Sequence, residues 1–195
     1  SLVDANVLAE YDFIFKDSIT ANEPGDTPSQ HNHGTSVLSV IGGYKDSVMI
    51  GAAYNSSFIL AKTEDIRSET PVEEDNYAAA LIWMESLGVD ITTSSLGYNE
   101  FDNSDDSYSY SDMDGKTTIV TKAAELAFQR GVVTFTAAGN EGNSSWFHII
   151  APADGLNTIA VGSVSQNNVL ASSSSRGPSS DGRIKPEVVA QERPH

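Results

Sequence analysis

Four β-rich runs, two of the gaps between them long enough and patterned for a helix, constrain this chain more than any other feature in it. Phe58 to Thr63 (FILAKT), Val89 to Ser94, Val132 to Ala137 (VVTFTA) and Thr158 to Val164 (TIAVGSV) have the length and β-branched content of strands. Pro71 to Leu87 reads as a helix. Glu73, Glu74 and Asp75 suit the positive end of its dipole, Ala80, Trp83, Met84 and Leu87 recur at helical spacing, and Gly88 stops it. Thr117 to Arg130 reads as a second helix, with Ala123, Leu126 and Ala127 on one face and Gly131 beyond its end. Strands joined through helices are crossover connections, so neighbours run parallel and the helices cover the sheet. The expectation is an α/β domain. Thr35 to Ile41 adds a short helix, expected to be buried.

The 195 residues suit one domain, 1–195, and 39% hydrophobic content can build its core. No apolar run approaches the ~20 residues of a membrane span. No signal peptide is visible, and the abrupt start at Ser1-Leu2-Val3 leaves room for an upstream segment. Cysteine is absent, which excludes disulfides and thiol nucleophiles. A formal charge of −16 argues against a nucleic-acid partner, whose phosphates it would repel. It fits an acidic surface kept soluble by its charge, or one that binds cations.

In open parallel sheets, sites form outside the carboxyl ends of strands. Three stretches fall there: Ser94 to Tyr98 (SSLGY), Ala137 to Gly142 (AAGNEG) and the helix entry at Gly34. His33 has an ordinary structural reading and a catalytic one. An imidazole with an unperturbed pKa of ~6.5 suits general-base work, and Gly34 would let another backbone come close. Asn140 reads either as a turn residue or as a carboxamide donor to an oxyanion. The polar stretch Tyr98 to Lys116 is too long for an ordinary turn, so it is functional, metal-bound or mobile. Asp102, Asp105, Asp106, Asp112 and Asp114 crowd it. Asp112 and Asp114, beside Gly115, offer oxygen ligands of the kind Ca²⁺ takes; the alternative is a solvated acidic loop.

The segments "HGTSVLSVIGG", "SSLGY", "AAGNEG" and "SSRGPSSDGRIKPEVVA", in this order, resemble the subtilases, the subtilisin-like serine peptidases. The resemblance runs from Tyr11 to Ala190, and the stretch from "VEEDNYAAALIWMESLG" onward is similar to a subgroup common in Bacteroidetes-type bacteria. It implies a three-layer subtilisin-like α/β fold, a mostly parallel sheet with helices on both faces, incomplete here at both ends. It implies peptide-bond hydrolysis by an Asp-His-Ser triad, with His33 as the base and Asn140 as the oxyanion donor. Ser95, Leu96 and Gly97 resemble the strand that pairs with substrate, and Ala137, Ala138 and Gly139 the opposite wall. An extended polypeptide would add itself between them as a strand. Secretion or a cell-envelope location and a structural Ca²⁺, not required for the chemistry, are further implications.

The sequence also departs from the family pattern. Asp4 lacks the family's surrounding motif and Asp12 (AEYDFIF) matches a later segment, so the triad Asp is expected upstream of Ser1. The Gly-Thr-Ser helix start that carries the nucleophile should follow "KPEVVA", where the chain reads Gln191-Glu192-Arg193-Pro194-His195. Gly34-Thr35-Ser36 belongs to the His motif, and Ser172 to Ser175 to the segment before "RGP". In subtilisin, loss of the nucleophile lowers kcat about 10⁶-fold, so this chain alone is expected to be inactive. Two functions stay open: part of a serine endopeptidase, or a noncatalytic peptide-binding module with the same cleft. Glu64 and Asp65 read as exposed acids after a strand, or as a cleft rim favouring basic side chains. His31 reads as exposed and His148 as packed beside Trp146.

Overall fold

The computed structural model describes residues 5–192, so Asp4 and the final Arg193-Pro194-His195 lie outside the described residues. It divides into two compact units, one ending at Glu69 and one beginning at Thr70.

The first unit runs β1 (Asn6–Asp12), α1 (Asn32–Gly42), a short antiparallel pair β2 (Tyr44–Lys45) and β3 (Met49–Ile50), and β4 (Ser57–Lys62). β1 and β4 pair in parallel from Asn6↔Ser57 to Asp12↔Lys62, with a register shift between Val7 and Ala9. The helix expected after His33 is present, but it is not a buried one: Gly42 is its buried residue and His33 to Ser36 are exposed. The reason lies at its carboxyl end, where it meets the sheet. A Cβ on Gly42 would stand 2.6 Å from Cζ of Phe58 in β4, and one on Gly51 would collide with the carbonyl of Ile41. Gly51 N–H donates to the carbonyl of Gly43 at 2.7 Å and Ala53 N–H to that of Ile41 at 2.9 Å. The Gly42-Gly43 pair is thus the price of a close approach between helix end, strand and returning chain.

The second unit runs α2 (Val72–Ser86), β5 (Ile91–Ser94), α3 (Ile119–Gln129), β6 (Val133–Ala137), β7 (Ile159–Val164) and β8 (Val188–Gln191). The sheet order is β5-β6-β7-β8 and every pairing is parallel, as crossovers require. Gly88 (φ +80°) and Gly131 (φ +95°) take the left-handed conformation just past α2 and α3. Thr118 caps α3 by accepting from Thr121 N–H at 3.2 Å.

The apolar stripes are rotated from those the spacing predicts. α2 buries Glu73, Glu74, Tyr77, Ala80 and Leu81, whereas Leu87 is exposed; α3 buries Val120, Thr121, Ala124 and Ala127, whereas Leu126 is exposed. The two helices pack on each other and on residues of the polar stretch, not on the sheet alone. Tyr98, Phe101 and Met113 from that stretch enter the core with Tyr77, Leu81, Val120, Ala124 and Val132. Fully burying a side chain of this size stabilises by about 1.5–3 kcal/mol, which anchors a segment otherwise rich in Asp and Ser.

Candidate functional site

β6 leads into the AAGNEG turn. Ala138 N–H still donates to the carbonyl of Val161 at 2.9 Å, extending the pairing with β7 by one residue. Gly139 then adopts φ +111°, which turns the chain outward and leaves Asn140 exposed. The Asn140 carboxamide has no hydrogen-bond partner among the described residues, so its N–H groups are available. The turn is braced from the far side by the serine run. Ser175 N–H donates to the carbonyl of Gly139 at 3.0 Å, Ser175 Oγ accepts from Glu141 N–H at 2.9 Å, and Gly142 N–H donates to the carbonyl of Ser173 at 2.9 Å. Ser174 and Ser175 are buried. Sequence reasoning gave these serines no role; small residues before Gly177-Pro178 were the signal that a close approach occurs there.

The chain leaves β5 through Ser95, which is exposed, and Leu96 and Gly97, which are half-buried. Tyr98 and Ala151 exchange backbone hydrogen bonds of 2.8 and 3.2 Å. A Cβ on Gly97 would lie 2.8 Å from Cδ1 of Ile150, and one on Gly139 would lie 2.9 Å from Cγ1 of the same residue. Ile150 N–H donates to the carbonyl of Ala138 at 3.2 Å. Ser95-Leu96-Gly97 and Ala137-Ala138-Gly139 are therefore brought together, with Ile150 packed against both glycines. The small residues expected to admit a peptide backbone serve first to admit Ile150, which the sequence reading missed.

His33 belongs to the first unit. It sits in the exposed first turn of α1, two residues after the cap residue His31, and its imidazole has no partner among the described residues. A Cβ on Gly34 would meet nothing within 4 Å, so among the described residues no close approach of another backbone explains that glycine. The loop leading to α1 starts from Asp12, which is wholly buried at the end of β1. Its Oδ1 accepts from the N–H groups of Ile14 (2.6 Å) and Phe15 (3.0 Å), and its Oδ2 lies 2.6 Å from Nζ of Lys62. Lys62 also donates to both oxygens of Asp26 at 2.9 and 2.8 Å. Burial opposes the charge on Lys62, but Asp12 and Asp26 outweigh it and raise its pKa. Burial works against the Asp26 carboxylate as well, and the Lys62 ammonium overcomes it, holding Asp26 below its usual range. Glu64 and Asp65 are tied locally: Glu64 accepts from the hydroxyl of Thr63, and Asp65 pairs with Arg67 at 2.6 Å.

The acidic stretch is organised by its own side chains. Asp112 accepts from the N–H and hydroxyl of Ser109 at 2.8 and 2.7 Å; Asp114 accepts from the N–H groups of Lys116 and Thr117 at 3.0 and 2.9 Å. Among the described residues, the carboxylates grouped closely enough to hold a metal ion are Asp12, Asp17 and Glu23, and neither Asp112 nor Asp114 joins such a group. Tyr108 donates to Glu74 at 2.7 Å, and Tyr110 stacks on His148 with ring centroids 3.9 Å apart.

The sequence profile of the subtilase family (Peptidase S8) matches residues 6–192. The chain is 29% identical over 177 residues to a thermophilic serine proteinase of Bacillus sp. (strain AK1), covering 90% of this chain and 37% of that protein. It is 30% identical over 148 residues to subtilisin E of Bacillus subtilis (strain 168), covering 75% and 34%. Among solved structures, a cold-adapted subtilisin-like serine proteinase superposes with a TM-score of 0.66 at 20% identity, covering 95% of this chain and 55% of that one. The CspB protease of Clostridium perfringens gives 0.71 at 15% identity, covering 96% and 71%. The chain spans between 34% and 51% of the length of the curated relatives it matches. The fold is the subtilisin-like α/β fold.

Proposed function

The chain belongs to the subtilase family of serine peptidases, and from that premise we propose that it is part of a serine endopeptidase that cleaves extended polypeptides, with His33 as general base and Asn140 as oxyanion donor. The observation that carries this reading is the turn after β6, where Gly139 at φ +111° and the two Ser175 hydrogen bonds leave the Asn140 carboxamide exposed and unpartnered. The bracing bonds hold the backbone from which the carboxamide projects, and a donor presented toward developing charge on a carbonyl oxygen stabilises it. His33, exposed at a helix start, would take the proton from a serine hydroxyl as that oxygen attacks the scissile carbonyl, then return it to the leaving amine. The acyl-enzyme so formed is released by water, with His33 again as base. Substrate would lie along Ser95-Leu96-Gly97 and Ala137-Ala138-Gly139 as an added strand. Secretion or a cell-envelope location belongs to the same reading.

The nucleophile and its Asp orienter have no counterpart in the motifs of these residues, so the chain by itself is proposed to be inactive. Hydrolysis of a chromogenic peptide by the purified chain, blocked by a serine-directed inhibitor, would refute that. In a protein extended to include a Gly-Thr-Ser helix start and an upstream strand ending in Asp, Asn140→Ala should lower kcat about 10²–10³-fold, the magnitude known for a subtilisin oxyanion donor. Its melting temperature should not change, because the side chain is exposed and unbonded. An extended protein that binds peptides without turning them over would replace the endopeptidase with a noncatalytic peptide-binding module.

A further inference from the structure

We propose that Lys62 is a built-in cation that takes the place of a structural metal ion beneath the loop preceding α1, and is thereby a positioning residue for His33. Four carboxylates converge where β1 and β4 end: Asp12 from β1, and Asp17, Glu23 and Asp26 from the loop. Oxygens of Asp12, Asp17 and Glu23 lie within 4.8 Å of one another, a spacing suited to a divalent cation. Lys62 reaches this cluster from the last position of β4. Its Nζ is 2.6 Å from Asp12 and 2.8 Å from Asp26, and its side chain is only 9% exposed. Asp12 Oδ2 is buried, and this ammonium is the one ion-pair partner it has among the described residues. An ammonium is a compact point charge with three donors, so it can neutralise one carboxylate and bridge two oxygens of another. The Phe15 ring covers it at 4.9 Å and also carries Arg67 at 5.6 Å, which donates to the carbonyl of Gly25 at 2.9 Å.

The clamp reaches α1 through bonded turns. Gln30 N–H donates to the carbonyl of Thr27 and Asn32 N–H to that of Ser29, at 3.1 and 3.0 Å. The Gln30 carboxamide donates to the carbonyl of Glu64 and accepts from Ile66 N–H, just beyond β4. The far end of α1 is already seated by Gly42 against Phe58. The start of the helix is therefore located by the segment from Asp26 to Gln30, and that segment by Lys62. The positioning of His33 matters catalytically only on the endopeptidase reading; the clamp does not depend on it.

Lys62→Met in the full chain keeps the aliphatic stem and removes the charge. It should lower the melting temperature, and Ca²⁺ should raise it again by more than it raises that of the unsubstituted chain. Adding Asp17→Asn and Glu23→Gln should abolish that extra gain. A Lys62→Met chain that melts unchanged, or that gains nothing extra from Ca²⁺, overturns the substitution of ammonium for metal. Asp26→Asn removes one arm of the clamp and is the milder variant if Lys62→Met does not fold. It should shift the amide resonances of residues 26–32, and unchanged resonances there would overturn the clamp. The His33 ring resonance should move in Lys62→Met and return with Ca²⁺. A His33 signal that stays in place while the melting temperature falls refutes the positioning role. Failure of the endopeptidase reading is separate: it appears as no turnover by an extended protein in which Lys62 and His33 are intact.

Discussion

Replacing Tyr108 by Phe isolates one hydrogen bond to a buried carboxylate. Tyr108 donates to Glu74 Oε2 at 2.7 Å, while Glu74 Oε1 faces Val120 N–H at 3.5 Å, at the start of α3. Glu74 is 1% exposed. Burial raises its pKa above the ordinary carboxylate range, against the pull of Tyr108 and the α3 N–H groups. Burial, and then the neighbouring carboxylate, pushes the Tyr108 phenol up as well. The ring itself packs edge-on to Phe101 with centroids 5.9 Å apart, a contact that Phe preserves. The variant therefore loses the hydroxyl alone. A hydrogen bond to a charged group contributes about 1.5–3 kcal/mol, and one to a neutral group about 0.5–1.5. An acid whose folded pKa is raised contributes stability that is present below its unfolded pKa and lost as pH rises through the folded value. Removing the phenol raises the folded pKa of Glu74 further, so the gap between variant and parent widens as pH rises. Urea unfolding should show a loss that grows with pH, from about 0.5–1.5 kcal/mol where Glu74 is protonated to about 1.5–3 kcal/mol where it is ionised. In melting temperature, the larger loss corresponds to roughly 3–12 °C for a chain of this size. A loss that does not change with pH, or none, would refute a charge-assisted bond at this position.

Contacts elsewhere in the second unit give two further expected outcomes. Gly139→Ala places a Cβ 2.7 Å from Ser175 Oγ in a backbone at φ +111°; a loss of at least about 1–3 kcal/mol in chemical denaturation is expected, and an unchanged midpoint would show that the turn relaxes freely. Asp181, held by Arg183 and Ser179, has its pKa lowered to about 2. Its contribution to stability is thus present above the ordinary carboxylate range and lost as pH falls toward about 2; carboxyl NMR should give that midpoint, and Arg183→Gln should raise it part of the way toward the usual range, the Ser179 hydrogen bond remaining.

What could be read from the sequence divides along physical lines. α2, α3 and β4 to β7 were visible because their signals are local: β-branched runs, and Gly88 and Gly131 where the chain must turn left-handed. β1 was not, since Asn6 to Asp12 becomes a strand by pairing with residues some fifty positions away. The buried stripe of α2 was misplaced because Glu73 and Glu74 look like solvent-facing dipole partners. Glu74 is instead drawn inward by Tyr108 and the start of α3, a partnership no spacing rule contains. The acidic stretch suggested a ligand or mobility, but its core residues Tyr98, Phe101 and Met113 decide its structure. At the candidate site the motifs located the AAGNEG and SSLGY segments. Ile150 and Ser175 stayed invisible, because their importance comes from packing and hydrogen bonding across the sheet.

Ile150 has one consequence of its own. Its branched side chain touches the positions of two glycines that flank the same space, 97 and 139. A larger residue at either glycine must push Ile150 toward the other. Changes on the two flanks should therefore be coupled: shrinking residue 150 relieves the part of each cost that comes from this contact, and leaves the Gly139 backbone strain and the Ser175 and Ala151 contacts in place. Residue 150 is thus the shared neighbour through which the two flanks feel each other, and a double-mutant cycle across it would read that coupling.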